Sequence, residues 1–298
     1  MRKFLMICLC FGLMFLNANV YASNYDADEE YSEEIITYQI SEYDEIIKYR
    51  NASVSEQNNL QIMCGDYEMY TSNYIEDKLM DLKTKTNDEL YFYGYNDDQI
   101  ALLRNYNGDR LENCPEMRAV MSTLTISFSG IYHYTNLYKV KANWYWSVMP
   151  MSFTTSKNGT AVFAWAAAGS GGTQIYSQYN SASSYCTVWY YANSDIVKTY
   201  NSPMTVVNAY AGVMSTHEVR LSLGWAKSGE MVLQVNSIDS GTITQMSYSF
   251  GYAYHAYTLT PSVSISNTPS LGISFSSGMN VAGIRSCTYD QNGNLTSY

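Results

Sequence analysis

The side chains that most often do chemistry are few in this sequence, and they are far apart. Its three histidines are His133, His217 and His255. No serine lies in a Gly-x-Ser-x-Gly nucleophile elbow. Glu218 directly follows His217, so the two would point to opposite faces of a strand. No Cys-x-x-Cys or His-x-x-x-His spacing is present to hold zinc. The sequence therefore predicts no catalytic residue, no metal site and no cofactor, and it places each histidine at the surface or in a turn.

Carboxylates are scarce after residue 118. Five occur there: Asp195, Glu218, Glu230, Asp239 and Asp290. A glycosidase needs two carboxyl groups about 5–10 Å apart, and Glu230 and Asp239 are predicted to lie in turns. The preferred interpretation is a protein without enzymatic activity, and a carbohydrate-active enzyme remains an alternative.

The first residues have the pattern of a secretory signal peptide. Arg2 and Lys3 precede an apolar run over residues 4–16, and the small residues Val20 and Ala22 fit a cleavage site. A membrane-spanning helix needs about 20 apolar residues, and no later segment is that long and apolar. We therefore expect a signal peptide over residues 1–22 and a secreted protein without a transmembrane span. The alternative is an uncleaved N-terminal anchor.

Four cysteines follow the predicted signal peptide: Cys64, Cys114, Cys186 and Cys287. Cysteines in an exported chain can form disulfide bonds, and four cysteines allow three different pairings. The pairs Cys64–Cys114 and Cys186–Cys287 are favoured because each would lie within one region of the chain. The alternative is that the cysteines are free thiols that pack as small apolar side chains.

Charge divides the rest of the chain into two regions. Residues 23–118 hold 22 acidic and 8 basic side chains, whereas residues 119–298 hold 5 acidic and 7 basic ones. This change predicts a domain boundary near residue 118. A chain with a formal charge of −10 and no basic stripe repels phosphate, so nucleic acid is not an expected partner.

The acidic region, residues 23–118, is predicted to form short helices. Apolar residues recur at helical spacing in two segments, one with Ile36, Ile40, Tyr43 and Ile47 and the other with Ile75, Leu79 and Leu82. The patterns Thr-x-x-Glu at residues 86–89 and Asn-x-x-Gln at residues 96–99 have the spacing of capping boxes. The helices that they open should end near Gly94 and Gly108.

This part of the acidic region resembles a segment that recurs in uncharacterised exported proteins of Gram-positive bacteria. The shared positions are Leu90, Gly94, Tyr95, Gln99, Ile100, Leu103, Asn105, Tyr106 and Gly108. Those proteins often continue into a β region rich in Ser, Thr and Tyr with a Trp-containing strand, which is similar to "VKANWYWSVMP" in this chain. The resemblance implies no particular activity.

Residues 119–298 are predicted to form an antiparallel β-sandwich. Short runs alternate apolar and polar residues and no helical segment separates them. In "KVKANWYWSV", Trp144 and Trp146 share one face with valine and alanine, while Lys139, Lys141 and Tyr145 share the other. We interpret the tryptophan face as core, because an apolar stripe normally faces inward. The predicted fold is therefore α+β in separate regions, helical before residue 118 and all-β after it.

Tyrosine is unusually abundant, with 30 residues against 9 phenylalanines. Tyrosine presents apolar area, few rotatable bonds and a hydroxyl, which suits a binding surface. The β-period predicts that Tyr145, Tyr252 and Tyr254 are exposed, and they are the candidate binding residues. The alternative is that β-propensity alone explains the tyrosines.

These patterns favour an exported, non-catalytic protein whose β-sandwich binds an envelope or extracellular partner, either a glycan or a protein. One alternative is a β-type pore-forming protein, because the segments "SVSIS" and "GISFSS" alternate serine with apolar residues. Any half-buried strand has the same alternation.

Overall fold

The computed structural model describes residues 35–52, 73–154, 156–238, 241–255, 261–265, 271–275 and 280–297. All of them belong to one compact unit, Glu33–Tyr298. The predicted signal peptide, Cys64 and Asp239 lie outside the described residues.

Four α-helices are described: α1 (Glu42–Asn51), α2 (Tyr74–Thr84), α3 (Asn87–Phe92) and α4 (Asp97–Asn105). The described strands are β1 (Ile35–Ser41), β2 (Thr123–Tyr134), β3 (Leu137–Trp146), β4 (Asn158–Ala168), β5 (Gln174–Ile175), β6 (Ser177–Tyr179), β7 (Tyr185–Ala192), β8 (Asp195–Ser202), β9 (Met204–Asn208), β10 (Gly212–Glu218), β11 (Arg220–Leu221), β12 (Gly224–Ser237), β13 (Gln245–His255), β14 (Ser262–Ile265), β15 (Leu271–Ser274), β16 (Asn280–Asp290) and β17 (Leu295–Ser297).

Most strands belong to two antiparallel sheets. In sheet I the order is β1-β2-β3-β12-β7-β8, and β6 and β11 also pair with β12. In sheet II the order is β17-β16-β13-β4-β10-β9, and β5 also pairs with β4. Strands β14 and β15 pair with each other as a separate hairpin. One large apolar cluster contains inward-facing residues of both sheets, which is the arrangement of a β-sandwich.

The two-residue period of β3 fixes which side chains enter this core. Trp144 and Trp146 are 1% and 4% exposed, whereas Tyr145 between them is 43% exposed. The predicted inward face of the tryptophans is therefore confirmed. The same alternation holds in β4, where Phe163 and Trp165 lie in the core.

Trp144 occupies the centre of the sandwich because its neighbour on β12 is a glycine. Gly229 pairs directly with Trp144, and a Cβ at Gly229 would overlap the indole ring and crowd the carbonyl oxygen of Thr187. The indole stacks on Phe250 of β13, with ring centroids 5.7 Å apart and an angle of 20° between the rings. This contact joins sheet I to sheet II.

The predicted capping boxes are both present. The Thr86 side chain accepts from the backbone N–H of Glu89 while Glu89 binds back to Thr86, and Asn96 and Gln99 do the same at the start of α4. Gly94, in the turn between α3 and α4, has a φ of 89°, a left-handed conformation that favours glycine.

The prediction of a helix through Ile36 and Ile40 is wrong. Residues Ile35–Ser41 form β1, the edge strand of sheet I, and helix α1 begins only at Glu42. Ile40 is buried in the sandwich core, and Tyr43 and Ile46 belong to a second apolar cluster that the helices share. The predicted division of the chain at residue 118 stays a prediction. In the structure, a strand of the acidic region pairs with β2.

The helices are tied together by a buried ion pair and packed against the sandwich. Arg50 of α1 donates to both carboxylate oxygens of Glu76 of α2 at 2.7 and 3.0 Å. Both side chains are 4% exposed. Arg50 also donates to Glu112 at 3.1 Å, so loss of Arg50, rather than of Glu76, would leave a buried charge without its ion-pair partner. The turn after α3 contacts sheet I, because the indole N–H of Trp225 donates to the carbonyl oxygen of Phe92 at 3.0 Å.

We expect Gly229→Ala to lower the free energy of unfolding by about 1–3 kcal/mol, because the new methyl group overpacks the core. Trp144→Phe supplies a smaller ring and should relieve part of this cost. The measurement is urea unfolding of both single variants and the double variant. Strictly additive effects would contradict direct packing of Trp144 on Gly229.

The carboxyl group of Glu42 gives a prediction for pH dependence. Its pKa is raised from 4.5 to about 7 by burial, which outweighs the backbone amides of Ser122 and Met151. The folded state therefore holds this proton more tightly than the unfolded state does. The stability that Glu42 contributes is present below about pH 4.5 and is lost as the pH rises through about 7, a loss on the order of 3 kcal/mol.

Glu42→Gln should remove this loss, so that the variant is more stable than the original protein above about pH 7. Urea unfolding across the pH range measures the effect, and Glu116→Gln on an exposed side chain controls for removal of a negative charge. Parallel pH profiles for Glu42→Gln and the original protein would overturn the assignment.

Candidate functional site

The three tyrosines proposed as binding residues have different locations. Tyr145 is exposed on the outer side of sheet I, as predicted. Tyr252 and Tyr254 are 0% and 4% exposed and lie in the core, so their prediction as surface residues is wrong. Serine, glycine and alanine alternate with the aromatic residues of β13. Burial of the larger apolar area therefore turned the rings inward.

Two of the histidines are buried, which also corrects the sequence prediction. His217 lies between the sheets, where its Nε2 and the hydroxyl of Tyr252 share a hydrogen bond of 2.9 Å and its ring stacks on Trp144. Burial, with a smaller effect of His255, lowers the pKa of His217 to about 3. His217 is therefore neutral at physiological pH and is enclosed by the core.

His255 is also buried, and its Nε2 lies 2.8 Å from the hydroxyl of Thr160. His133 is half-buried near the C-terminal end of β2, and its Nε2 lies 2.8 Å from the carbonyl oxygen of Gln291. The structure does not bring the three histidines together as a site.

The outer side of sheet I carries a different constellation. The strand registers place its side chains in three rows that run across the sheet. The first row is Gln39, Thr125, Tyr145, Ser228, Trp189 and Thr199; the second is Thr37, Ser127, Asn143, Glu230, Thr187 and Asn201; the third is Ile35, Ser129, Lys141, Val232 and Tyr185. We call these rows the polar–aromatic face.

The middle row of this face is polar at every position across six strands. Thr187 donates to the side-chain oxygen of Asn201 at 3.4 Å, which links the row across two of those strands. Hydroxyl, amide and carboxylate groups thus form a continuous line. Thr187 is itself 8% exposed, so the other five residues of the row are the ones that can exchange hydrogen bonds with an extended ligand.

Aromatic rings flank the polar row on both sides. Tyr145 and Trp189 lie on either side of Ser228 in the first row, and Tyr185 lies in the third. Tyr145 and Tyr185 are 43% and 47% exposed. Exposed aromatic rings beside hydrogen-bonding groups are the usual composition of a recognition surface.

A lysine supports the aromatic end of the face. The ammonium of Lys227 lies 5.2 Å from the ring centre of Tyr145, 5.6 Å from that of Tyr191 and 5.8 Å from that of Trp225. Cation–π attraction at these distances holds the rings around one charge. Tyr145 is therefore held in position before any partner arrives.

The charges of the face suit binding better than acid–base catalysis. Among the described residues of the three rows, Glu230 is the one carboxylate, and it lies in β12 rather than in the predicted turn. Burial raises the pKa of Tyr185, and the neighbouring Glu230, which is hydrogen-bonded to Tyr185, raises it further. A glycosidase mechanism requires a second carboxyl group within about 10 Å.

The cysteines that the structure describes are buried free thiols, whereas the sequence predicted disulfide bonds. Cys114, Cys186 and Cys287 are free and buried. The Cys186–Cys287 pairing is therefore wrong for this structure, because the two cysteines pack as apolar side chains in the core of the sandwich. The partner proposed for Cys114, Cys64, lies outside the described residues.

The polar–aromatic face was not predicted as a unit. Trp189 carries no local signal that separates it from the core tryptophans, since it lies in the apolar run "YCTVWYY". The useful signal is that Cys186, Val188 and Tyr190 alternate with it and lie in the core. That alternation leaves Trp189 on the outer side.

The described parts of the serine-rich segments that indicated a pore-former lie in and next to β14 and β15. Val263 and Ile273 of this hairpin pack against Val162 and Ala164 on the outer side of sheet II. Its described strands have 4 residues each, whereas a membrane-spanning strand needs about 9–11. Insertion into a membrane stays a prediction.

No helix in the described part of the chain is long and apolar enough to cross a membrane. Within the same residues, no cluster of three or more His, Cys, Asp or Glu side chains is placed to hold a metal ion.

Comparison with known proteins gives only distant likenesses. No protein-family model and no curated protein matches the chain. The collagen-binding domain of a Staphylococcus aureus adhesin is similar with 12% identity and a TM-score of 0.30, over 55% of this chain and 95% of that domain.

Two further solved structures are similarly distant in sequence and in TM-score. The KRT10-binding region of the pneumococcal serine-rich repeat protein PsrP has 8% identity and a TM-score of 0.24, over 52% of this chain and 89% of that one. Clostridium perfringens delta-toxin has 8% identity and a TM-score of 0.22, over 59% and 88% of the two chains. TM-scores this low establish no common fold, so what those proteins bind carries no argument for this one.

The buried thiols lead to a labelling prediction. Burial raises the pKa of Cys186 and of Cys287 to about 12, and only the thiolate reacts with iodoacetamide. Both cysteines should stay unmodified in the native protein and react fully in urea without any reductant. Peptide mass spectrometry reads the two sites separately. Recovery of a Cys186–Cys287 linked peptide would restore the disulfide interpretation.

Proposed function

We propose that this chain is an exported, non-catalytic binding protein that engages an extended extracellular or envelope polymer through the polar–aromatic face. The observation that carries the proposal is the arrangement of that face, an unbroken polar row between rows that carry exposed aromatic rings. A fold alone does not imply a function, so the proposal rests on the side chains of this surface.

The shape of the face favours an extended partner. The polar row crosses six strands, and neighbouring strands lie about 4.8 Å apart, so the row is about 24 Å long. A small molecule would need a concave pocket that surrounds it. A glycan or a polypeptide strand can instead lie along the row and contact many of its polar groups at once.

Charge narrows the class of partner. Lys141 lies in the third row, and Lys139 follows it on the same side of β3, while Glu230 is the carboxylate of the rows. The ammonium of Lys139 lies 5.4 Å from the ring centre of Tyr132, which keeps it near the sheet. The described part of this surface is thus more basic than acidic, and we expect a neutral or acidic polymer.

Export supports a partner that lies outside the cell. The pattern of residues 1–22 indicates secretion, and an envelope or extracellular polymer would be within reach of a secreted chain. A glycan and a protein segment are both kept as partner classes, because each offers hydrogen-bonding groups and apolar faces.

The test is binding of the purified protein to cell-wall preparations, a glycan array and extracellular-matrix proteins. For a ligand found there, the double variant Tyr145→Ala with Trp189→Ala should raise the dissociation constant at least about tenfold, because aromatic anchors dominate such interfaces. Tyr145 is exposed and Trp189 is half-buried beside it. Biolayer interferometry measures the change, and circular dichroism checks that the variant is folded.

The matched control is Met80→Ala with Leu223→Ala, which removes two exposed apolar side chains that lie outside the three rows. This control should bind the polymer as the original protein does. Absence of any bound ligand across the three panels, or equal affinity of the Tyr145 and Trp189 double variant, would refute the proposed function.

A further inference from the structure

A groove lies on sheet II, at a gap along β4. Strand β10 pairs with β4 only as far as Ala164, and β5 pairs only with Ala167 and Ala168. Between these two partners, the one backbone bond to this edge of β4 among the described residues runs from the N–H of Trp165 to the carbonyl oxygen of Ala211. The gap leaves a groove with a volume of about 190 Å³.

The described lining of the groove is apolar on its floor and polar on its walls. It consists of Ala166, Ala167, Gln174, Ile175, Tyr176, Asn208 and Tyr210. None of these described residues carries a charge. Asn208 is held by the structure, because its side-chain oxygen accepts from the backbone N–H of Tyr210 at 3.1 Å and its amide donates to the carbonyl oxygen of Val263 at 3.4 Å.

Two tyrosines form a corner at the groove. Tyr176 and Tyr210 are 55% and 50% exposed, which makes them the two most exposed aromatic side chains among the described residues. Their ring centroids are 6.2 Å apart and their planes meet at 75°. One ring can therefore lie against the flat side of a ligand while the other meets its edge. Packing of the sandwich does not need this exposed area, which marks it as a contact surface.

Volume and chemistry together select the occupant. Drug-sized ligands fill sites of about 300–1,000 Å³, so this groove has room for one ring-sized group. A pyranose ring has an apolar C–H side that stacks on an aromatic ring, and it has hydroxyls that pair with carboxamides and phenols. The described lining gives no opposite charge to a phosphate, a carboxylate or an ammonium group.

We propose that the groove between Tyr176 and Tyr210 binds one pyranose unit of a neutral glycan. The sugar stacks on one tyrosine ring, and Gln174 and Asn208 face its hydroxyls. Small Ala166 at the floor allows the ring to approach β4. This site is on the opposite sheet from the polar–aromatic face, so it does not depend on the proposed function.

The experiment is titration of the purified protein with neutral oligosaccharides chosen from an array, followed by isothermal calorimetry. Tyr176→Ala and Tyr210→Ala should each weaken binding about tenfold, as expected for the loss of a stacking ring. Ala166→Leu fills the groove and should abolish binding, while its thermal unfolding stays cooperative. Tyr176→Phe keeps the ring and should lose less affinity than Tyr176→Ala.

The double variant Met80→Ala with Leu223→Ala lies outside both surfaces, serves as the control and should bind the sugar normally. Loss of sugar binding in Tyr145→Ala with Trp189→Ala, with the Tyr176 and Tyr210 variants unaffected, would place the sugar on the polar–aromatic face and overturn the proposal. Failure of every neutral oligosaccharide to bind would overturn the proposal. So would binding that the Tyr176 and Tyr210 variants leave unchanged. A proline-rich peptide, which also docks in aromatic grooves, is titrated in parallel. If the peptide alone binds and the same variants abolish its binding, the occupant is a peptide and the sugar proposal is wrong.

Discussion

The sandwich depends on large aromatic rings that cross the space between the sheets where the neighbouring strand of the same sheet offers little volume. Trp144 packs over Gly229 and stacks on Phe250, so one residue bridges β12, β3 and β13. Sheets that pack face to face lie about 10 Å apart, and an indole can span much of that distance only if its own neighbour is small. Once these rings are inside, the two-residue period decides which residues of every paired strand face outward.

The helical region packs on this sandwich through positions that are shared with other exported proteins in the resemblance given above. Leu90, Tyr95 and Leu103 are buried in the cluster that the helices share. The carbonyl of Phe92, at the end of α3, accepts from the Trp225 indole N–H, and Gly94, with its left-handed φ, lies against the same indole ring. A cap of this kind covers the end of a sandwich, where strands stop and their side chains would otherwise meet water. The structural role of these residues accounts for their spacing without any chemistry.

The sequence allowed prediction where charge marks one face, and it failed where charge is absent. In β3 the lysines label the wet side, so the burial of Trp144 follows from alternation. In β13 the rings alternate with serine, glycine and alanine, and only the competition for buried area places Tyr252 inside. In β1, Ile36 and Ile40 are four residues apart, a spacing that shares a face in a helix and in a strand alike. The polar–aromatic face joins residues from six strands, and such non-local registers cannot be read from local periodicity.

The outward residues of the two sheets differ in size, and this difference explains why one sheet offers a face and the other a groove. Along β4 the outward positions include Val162, Ala164 and Ala166, and small residues there let the hairpin of β14 and β15 pack closely on sheet II. The hairpin contacts Val162 and Ala164, and the small floor continues to Ala166. A depression therefore remains along β4 between Ala164, where the pairing with β10 ends, and Ala167, where the pairing with β5 begins. On sheet I the outward rows combine Tyr145, Trp189 and Lys141 with short serines and threonines, so contact there is made along a broad surface. Burial of the core on one side of each strand thus leaves the choice of outward residue free, and recognition can evolve on that side without loss of the fold.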